Sequence, residues 1–271
     1  MIPRSLHIGA WLLVALAVLA VAAPLALPDP DRVDYTAELT APGAAHPLGT
    51  DQLGRDLAAR LAAGARTTLG SVGAVWLVSV AVGLFAGTLG ALAGRLGEQV
   101  VARVVDLALA LPQTVVALAI AGALGPGLWQ LVLAMSATAW APTARLAHTY
   151  VHAARERPDV IAARMAGIGP VRAMCAHVLP GAAARVVVVA TLGVGQLILS
   201  LAALSFLGLG AAPPTAEWGR MLADSRHDVI AAPWLIIVPT TAIFLAVTAV
   251  SLVADGARER VDPGRRAWPR F

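Results

Sequence analysis

The sequence contains no lysine at all and a single cysteine, Cys175, among 271 residues. Each absence removes a class of chemistry. A phosphate-cradling loop of the G-x-x-x-x-G-K-[ST] kind needs a lysine that reaches the β- and γ-phosphates, so this chain has no such loop and is not an ATPase. One cysteine excludes an internal disulfide and cannot by itself make a thiolate metal site. Charged residues are also scarce, 13% of the chain, and aromatic residues make up only 5%. A water-soluble domain carries about a quarter charged residues to cover its core. A chain this poor in charge has lipid as its natural solvent.

What is present is apolar bulk. Hydrophobic residues, mostly Ala, Val and Leu, make up 58% of the chain, and mean hydropathy is +0.76. Six runs of 18 to 25 residues stand out, at 8–27, 69–93, 107–124, 128–146, 186–209 and 234–254. At about 1.5 Å per residue each can cross a hydrocarbon core of about 30 Å. Backbone amides in hydrocarbon must be satisfied within their own segment, which predicts six transmembrane helices and an all-α membrane protein. The first run follows Arg4 and His7, lacks a small-residue cleavage site, and reads as a retained helix. Gly125-Pro126-Gly127 predicts a tight turn between the third and fourth spans. Gly83, Gly87, Gly90 and Gly94 recur at helical spacing, which suits close packing inside the bundle or against a partner subunit.

Arginine placement predicts orientation. With the N-terminus in the cytoplasm, the inside segments hold fourteen arginines and the outside loops six. The first outside loop also carries Asp29, Asp31, Asp34, Glu38, Asp51 and Asp56. Both termini are therefore expected in the cytoplasm, with a basic tail at 258–271. The pI of about 10.5 could suggest nucleic acid, but the placement of the arginines points to a membrane face instead.

A proton- or sodium-driven carrier buries ionisable residues at mid-membrane. The six runs hold almost none: Asp106 and Arg145 fall at the cytoplasmic ends of the third and fourth, and Asp255 follows the sixth. Energy must come from outside the chain, through a cytoplasmic surface. The longest cytoplasmic segment, 148–185, predicts two short helices broken at Gly167 and Gly169, the second starting at Pro170 and stopped at Leu179-Pro180. Ile161, Met165 and Ile168 form an apolar ridge with Arg155, Arg157, Arg164 and Arg172 around it. Such a ridge suits a groove on another protein or a bed of lipid headgroups.

Polar residues inside the spans must face protein or water. Gln113 and Thr114, Ser136 and Thr138, Gln196 and Ser200, and Thr240 and Thr241 qualify, and Gln113, Thr114, Gln196 and Ser200 are the candidates for a translocation pathway, Gln196 foremost. Interhelical hydrogen bonding is the alternative role. His46, Asp51 and Asp56 could be read as a metal cluster, but Asp51 and Asp56 are better read as capping or pairing with Arg55 and Arg60, and no metal is expected.

Ala162-Ala163, then Gly167, then Leu179-Pro180 resembles the EAA loop of bacterial ABC importer permeases, with Ile161 where the family has Glu and Val178 near its usual Ile. His46-Pro-Leu-Gly-Thr-Asp51-Gln-Leu-Gly-Arg-Asp56 with Gly64-Ala-Arg66 is similar to the C-type permeases of dipeptide and oligopeptide importers. So are Leu204-Ser-Phe-Leu-Gly-Leu-Gly210, Pro213-Pro214, Trp218-Gly219, Pro233-Trp234, Asp255-Gly256, Arg258 and Asp262-Pro263. The resemblance implies a type I importer fold and an ATPase-coupling role for Ala162, Ala163, Gly167, Leu179 and Pro180. It also implies a second homologous permease, two cytoplasmic subunits that bind ATP and Mg, and an extracytoplasmic substrate-binding protein. The chain itself would hold no cofactor, and its cargo would be small peptides, with nickel in close relatives. The expected organisation is an N-terminal helix and outer loop at 1–66, a core at 67–257 and the tail. A self-sufficient channel or secondary carrier, or a membrane anchor, is the competing reading.

Overall fold

The computed structural model describes residues 4–22 and 26–261. Its regular structure among these residues is helical, with one isolated bridge between Thr50 and Asp56. In chain order the helices are α1 (Arg4–Val21), α2 (Leu57–Leu92), α3 (Gly94–Ala110), α4 (Gln113–Leu124), α5 (Leu128–Arg155), α6 (Pro158–Met165), α7 (Pro170–Ala173), α8 (Leu179–Leu192), α9 (Val194–Phe206), α10 (Trp218–Asp224) and α11 (Trp234–Val261). Three helical stretches are long and apolar enough to cross a membrane: α2, residues Val171–Leu192, and residues Trp234–Glu259 of α11. The pair α3 and α4 makes a fourth if counted as one bent span.

The expected spans are helical, but their ends move. The span at 8–27 is α1 as far as Val21, and residues 23–25 lie outside the described set. The second helix begins at Leu57, so the boundary expected between 66 and 67 falls inside α2. Asp56 sets that start by accepting the Ala59 amide at 2.9 Å. The span at 107–124 is not one rod: α3 and α4 meet at 84°. Leu111 precedes Pro112 and is extended (φ −98°, ψ 139°), as the proline ring demands of its neighbour. The span at 128–146 continues as helix to Arg155, and the span at 186–209 is divided at Gly193. The last helix runs past 254 to Val261, so the expected tail at 258–271 starts within α11 and otherwise lies outside the described residues.

The glycine series on α2 serves packing within the chain. A Cβ at Gly83 would come within 2.6 Å of Thr143 Cβ, and one at Gly87 within 2.6 Å of Ala144 O and Ala147 Cβ. Residue numbers rise together on α2 and α5, so the two helices run parallel, backbone against backbone. Gly90 does the same against Val101 of α3, and Gly94, at φ +69°, turns the chain from α2 into α3. On the other flank α1 and α11 run antiparallel, Gly9 against Ala249 and Val253, Gly256 against Leu6.

A polar cap and a small apolar core occupy opposite ends of α2. At its start Leu61 and Thr68 meet Trp218 and Glu217, and the segment 28–56 packs beside them through Gln52–Asp228, Asp31–Arg60 and Thr50–Trp234. At its end Ala91 joins Val151, Val160, Met174, Val178 and Ala182 in a small second core beneath the segment 158–178. Leu61 and Ala91 are 30 residues apart on one helix, so the two are separated by about 45 Å.

Candidate functional site

The segment expected to couple to another protein differs from its sequence reading at both ends. Residues 148–155 belong to α5, and Arg155 turns inward to donate to the Ala91 carbonyl rather than joining a basic rim. Ala162 and Ala163 lie on α6. Gly167 follows at φ +88°, the Gly167 amide donates to Arg164 O and the Ile168 amide to Ala163 O at 3.1 Å each, which is the Schellman closure of a helix. This is the break expected at Gly167, and its cause is the left-handed backbone.

Leu179-Pro180 does not stop the helix. A π-helical turn at Met174–Val178 precedes it, the Leu179 amide donating to Met174 O, and Pro180 occupies the first turn of α8, where a missing amide is harmless. The rod therefore continues without interruption from Val171 to Leu192. Val160, Met174 and Val178 face the small core, while Ile161 (46% exposed), Met165 (85%) and Val171 (63%) face outward. Ile168 is half-buried.

Higher in the bundle, a cavity of about 390 Å³ is walled by α2, α4, α5, α8 and α9. Its polar lining comes from Ser79, Gln113, Thr143 and Gln196, with Trp76, Pro142 and Leu146 among the apolar walls. The structure thus brings together Gln113 and Gln196, which are 83 positions apart. Ser200 is buried one turn along α9, 3.5 Å from Gln196 Nε2. Thr114 does not join them: it is exposed, since one helical step from Gln113 rotates it off the cavity face. Thr138 and Thr241 return their hydroxyls to their own helices, at Met135 O (3.0 Å) and Ile237 O (2.7 Å). Thr240 lines a separate apolar groove.

The lining also contains residues that sequence reasoning missed. Trp76 and Ser79 sit in the second apolar run, and Thr143 follows Pro142. Trp76 Nε1 is buried without a hydrogen-bond partner among the described residues. A single large indole amid small residues was the available signal for Trp76. Val189, Ala190 and Gly193, at the far end of the rod that begins at Val171, form another wall.

The cap at the start of α2 is held by charge. Asp51 accepts from Arg55 Nε at 2.7 Å and faces Arg60 Nε at 3.4 Å, and Arg60 also reaches Asp31 at 3.2 Å. His46 Nδ1 lies 2.9 Å from Asp56. The acidic residues of this segment are thus caps and ion-pair partners. Asp34 accepts two bonds from Thr36, which hold its carboxyl below the ordinary value. Glu217 went unnoticed in the sequence. It is buried, accepts from Thr68 Oγ1 (3.0 Å), Gly219 N (3.0 Å) and Arg220 N (2.9 Å), and its burial pushes its carboxyl upward despite those donors.

Residues 79–267 match the family described as binding-protein-dependent transport system inner membrane component. The chain is similar to the nickel transport system permease protein NikC of Escherichia coli, with 37% identity over 260 residues, 96% of this chain and 94% of that protein. It is 36% identical over 260 residues to the dipeptide transport system permease protein DppC of Alkalihalophilus pseudofirmus, covering 94% of this chain and 84% of the other. Over 221 residues it is 43% identical to the di/tripeptide transport system permease protein DppC of Pseudomonas aeruginosa, 80% of this chain and 71% of the other.

Proposed function

The chain belongs to the family of inner membrane components of binding-protein-dependent transport systems, and from that membership we propose that it forms half of the translocation pathway for small peptides and receives its driving force through the segment Ala162–Pro180. It is a permease subunit of an ATP-driven importer, not an enzyme. Membership disfavours the self-sufficient channel or secondary carrier.

One observation carries the coupling role. A single helical rod, Val171–Leu192, begins beside the exposed ridge of Ile161 and Met165 and ends in the cavity wall at Val189 and Ala190. A push on the ridge passes through the closure at Gly167 into that rod, which then runs unbroken to the cavity wall. The ridge docks in a groove of a cytoplasmic ATPase, with Gly167 fixing the angle between α6 and α7. The full assembly has a homologous second permease, two subunits that bind ATP and Mg, and an extracytoplasmic binding protein seated at the cap at the start of α2. Both termini lie in the cytoplasm, consistent with fourteen arginines against six.

Peptide cargo is supported by the cavity's chemistry. Its polar lining is two carboxamides and two hydroxyls, with no histidine, cysteine or carboxylate. Carboxamides pair well with peptide groups, whereas a bare transition-metal ion prefers imidazole, thiolate or carboxylate.

The test is Gly167→Val in the complete complex. Uptake and cargo-stimulated ATP hydrolysis should fall together while the complex still assembles, because a β-branched residue resists the left-handed backbone. Normal uptake with normal stimulated hydrolysis sinks the coupling role.

A further inference from the structure

We propose that Asp106 and Arg145 form a latch on the rim of the cavity nearest the coupling segment, paired while that rim is closed and separated when it opens. This rests on reading the cavity as the pathway. The side chains are in direct contact, Arg145 donating to Asp106 Oδ1, and each is a little over half exposed, 55% and 53%.

Their placement ties them to the cavity. Arg145 stands on α5 between Thr143 and Leu146, both of which line it. Asp106 stands on α3 just before the 84° elbow at Leu111-Pro112, after which Gln113 enters the lining. The pair therefore fastens α5, which walls the cavity, to α3, which leads through the elbow into the Gln113 end of α4. α5 runs from Gly127, hydrogen-bonded to Leu209, down to Arg155 against Ala91, so Arg145 lies toward the coupling end.

The pair is the first of a row. One turn further along α5, His148 Nε2 is 3.1 Å from Glu98, and His152 Nδ1 is 3.6 Å from the same carboxylate. Positions 145, 148 and 152 share one face of α5 and meet Asp106 and Glu98 of α3. α3 is thus fastened to α5 by side-chain charge on this face. The last turns of α5 lead directly into α6 and the exposed ridge. A displacement of the coupling segment pulls on the row, and its inner end is the contact at the cavity rim.

Energetics favour a moving part over a structural one. Exposed ion pairs add little to stability, so a pair at these positions is readily made and broken. Asp106 and Arg145 are therefore positioning residues: they set whether the rim is closed and do not choose cargo.

The experiment uses the complete complex reconstituted in lipid vesicles, with Asp106→Arg, Arg145→Asp and the double reversal. Each single reversal should reduce uptake at least about tenfold and raise ATP hydrolysis in the absence of cargo. The double reversal should restore both, since the pair is remade with its signs exchanged. Failure of the double reversal to restore a correctly assembled complex overturns the latch.

A second arm acts after assembly. Asp106→Cys/Arg145→Cys in a Cys175→Ser background is bridged by a short bismaleimide. Bridging should arrest uptake, and unimpaired uptake after complete bridging overturns the proposal. A third variant, Gln196→Cys in the same background, is blocked with a bulky thiol reagent. If blocking leaves uptake normal, the cavity is not the pathway and the latch falls with it. If blocking stops uptake while the reversals and the bridge do nothing, the pathway stands and only the latch is wrong.

Discussion

Trp218 occupies the space that a side chain at Gly64 would need. A Cβ there would stand 2.8 Å from Trp218 Cδ1, and the indole Nε1 donates to Leu61 O at 3.0 Å one turn earlier on α2. The indole is fully buried, so α2 receives the cap at its start through a glycine-sized notch. Gly64→Ala gains about 0.5–1 kcal/mol of helix propensity but forces the ring out of place, which costs about 1–3 kcal/mol. Net destabilisation is expected. Trp218→Phe in the same chain should recover part of it, and thermal unfolding of the two single variants and the double in detergent measures the non-additivity. A purely additive pair rejects the notch.

Arg60 is 3% exposed and serves Asp51 and Asp31 together. Arg60→Ala leaves buried Asp51 still paired with Arg55, so it should cost less than the about 3–5 kcal/mol of a buried charge stripped of its only partner. Arg60→Lys keeps the charge but loses the planar fork, so it should fall between the wild type and alanine. Protease sensitivity of the 28–56 segment reports the order. A lysine variant as fragile as the alanine one would show that charge is irrelevant there.

Glu217 makes cap stability depend on pH. Burial raises its folded-state pKa above the ordinary 4.5, so the folded state binds the proton more tightly than the unfolded state. Its stabilising contribution is complete below about pH 4.5 and is lost as pH rises toward the folded-state value, with a slope of at most about 1.4 kcal/mol per pH unit. Hydrogen exchange at the Gly219 and Arg220 amides follows this directly. Glu217→Gln should flatten the slope, and an unchanged slope assigns it to another group.

At Gly167 an added Cβ meets nothing within 4 Å, so any cost of substitution is backbone strain alone. Asn tolerates positive φ far better than Val. Gly167→Asn should keep most uptake, whereas Gly167→Val should lose it, with a difference of about 1–2 kcal/mol in loop stability. Equal effects of the two variants would place the requirement in side-chain contact with the partner instead.

Composition and hydropathy determined the solvent of this protein, its helical class and the approximate position of each apolar run. These properties are local: 18 or more apolar residues in hydrocarbon have no backbone solution but a helix. The turn at Gly125-Pro126-Gly127 and the break at Gly167 were legible for the same reason, since both depend on neighbours in sequence. The ridge of Ile161 and Met165 was also legible, from helical spacing. Tertiary structure decided the rest. Whether Pro180 ends a helix depended on the π turn at Met174–Val178 just before it, and the inward turn of Arg155 depended on where α2 ends. The gathering of Gln113 with Gln196, and the exclusion of Thr114, required the convergence of five helices around one cavity. Glu217 caps its own helix through the Gly219 and Arg220 amides, but its remaining donor, Thr68, is 149 residues away and only folding brings it there. Hydropathy is a sum over neighbouring residues, whereas a hydrogen bond or a cavity wall is made between residues that only folding brings together.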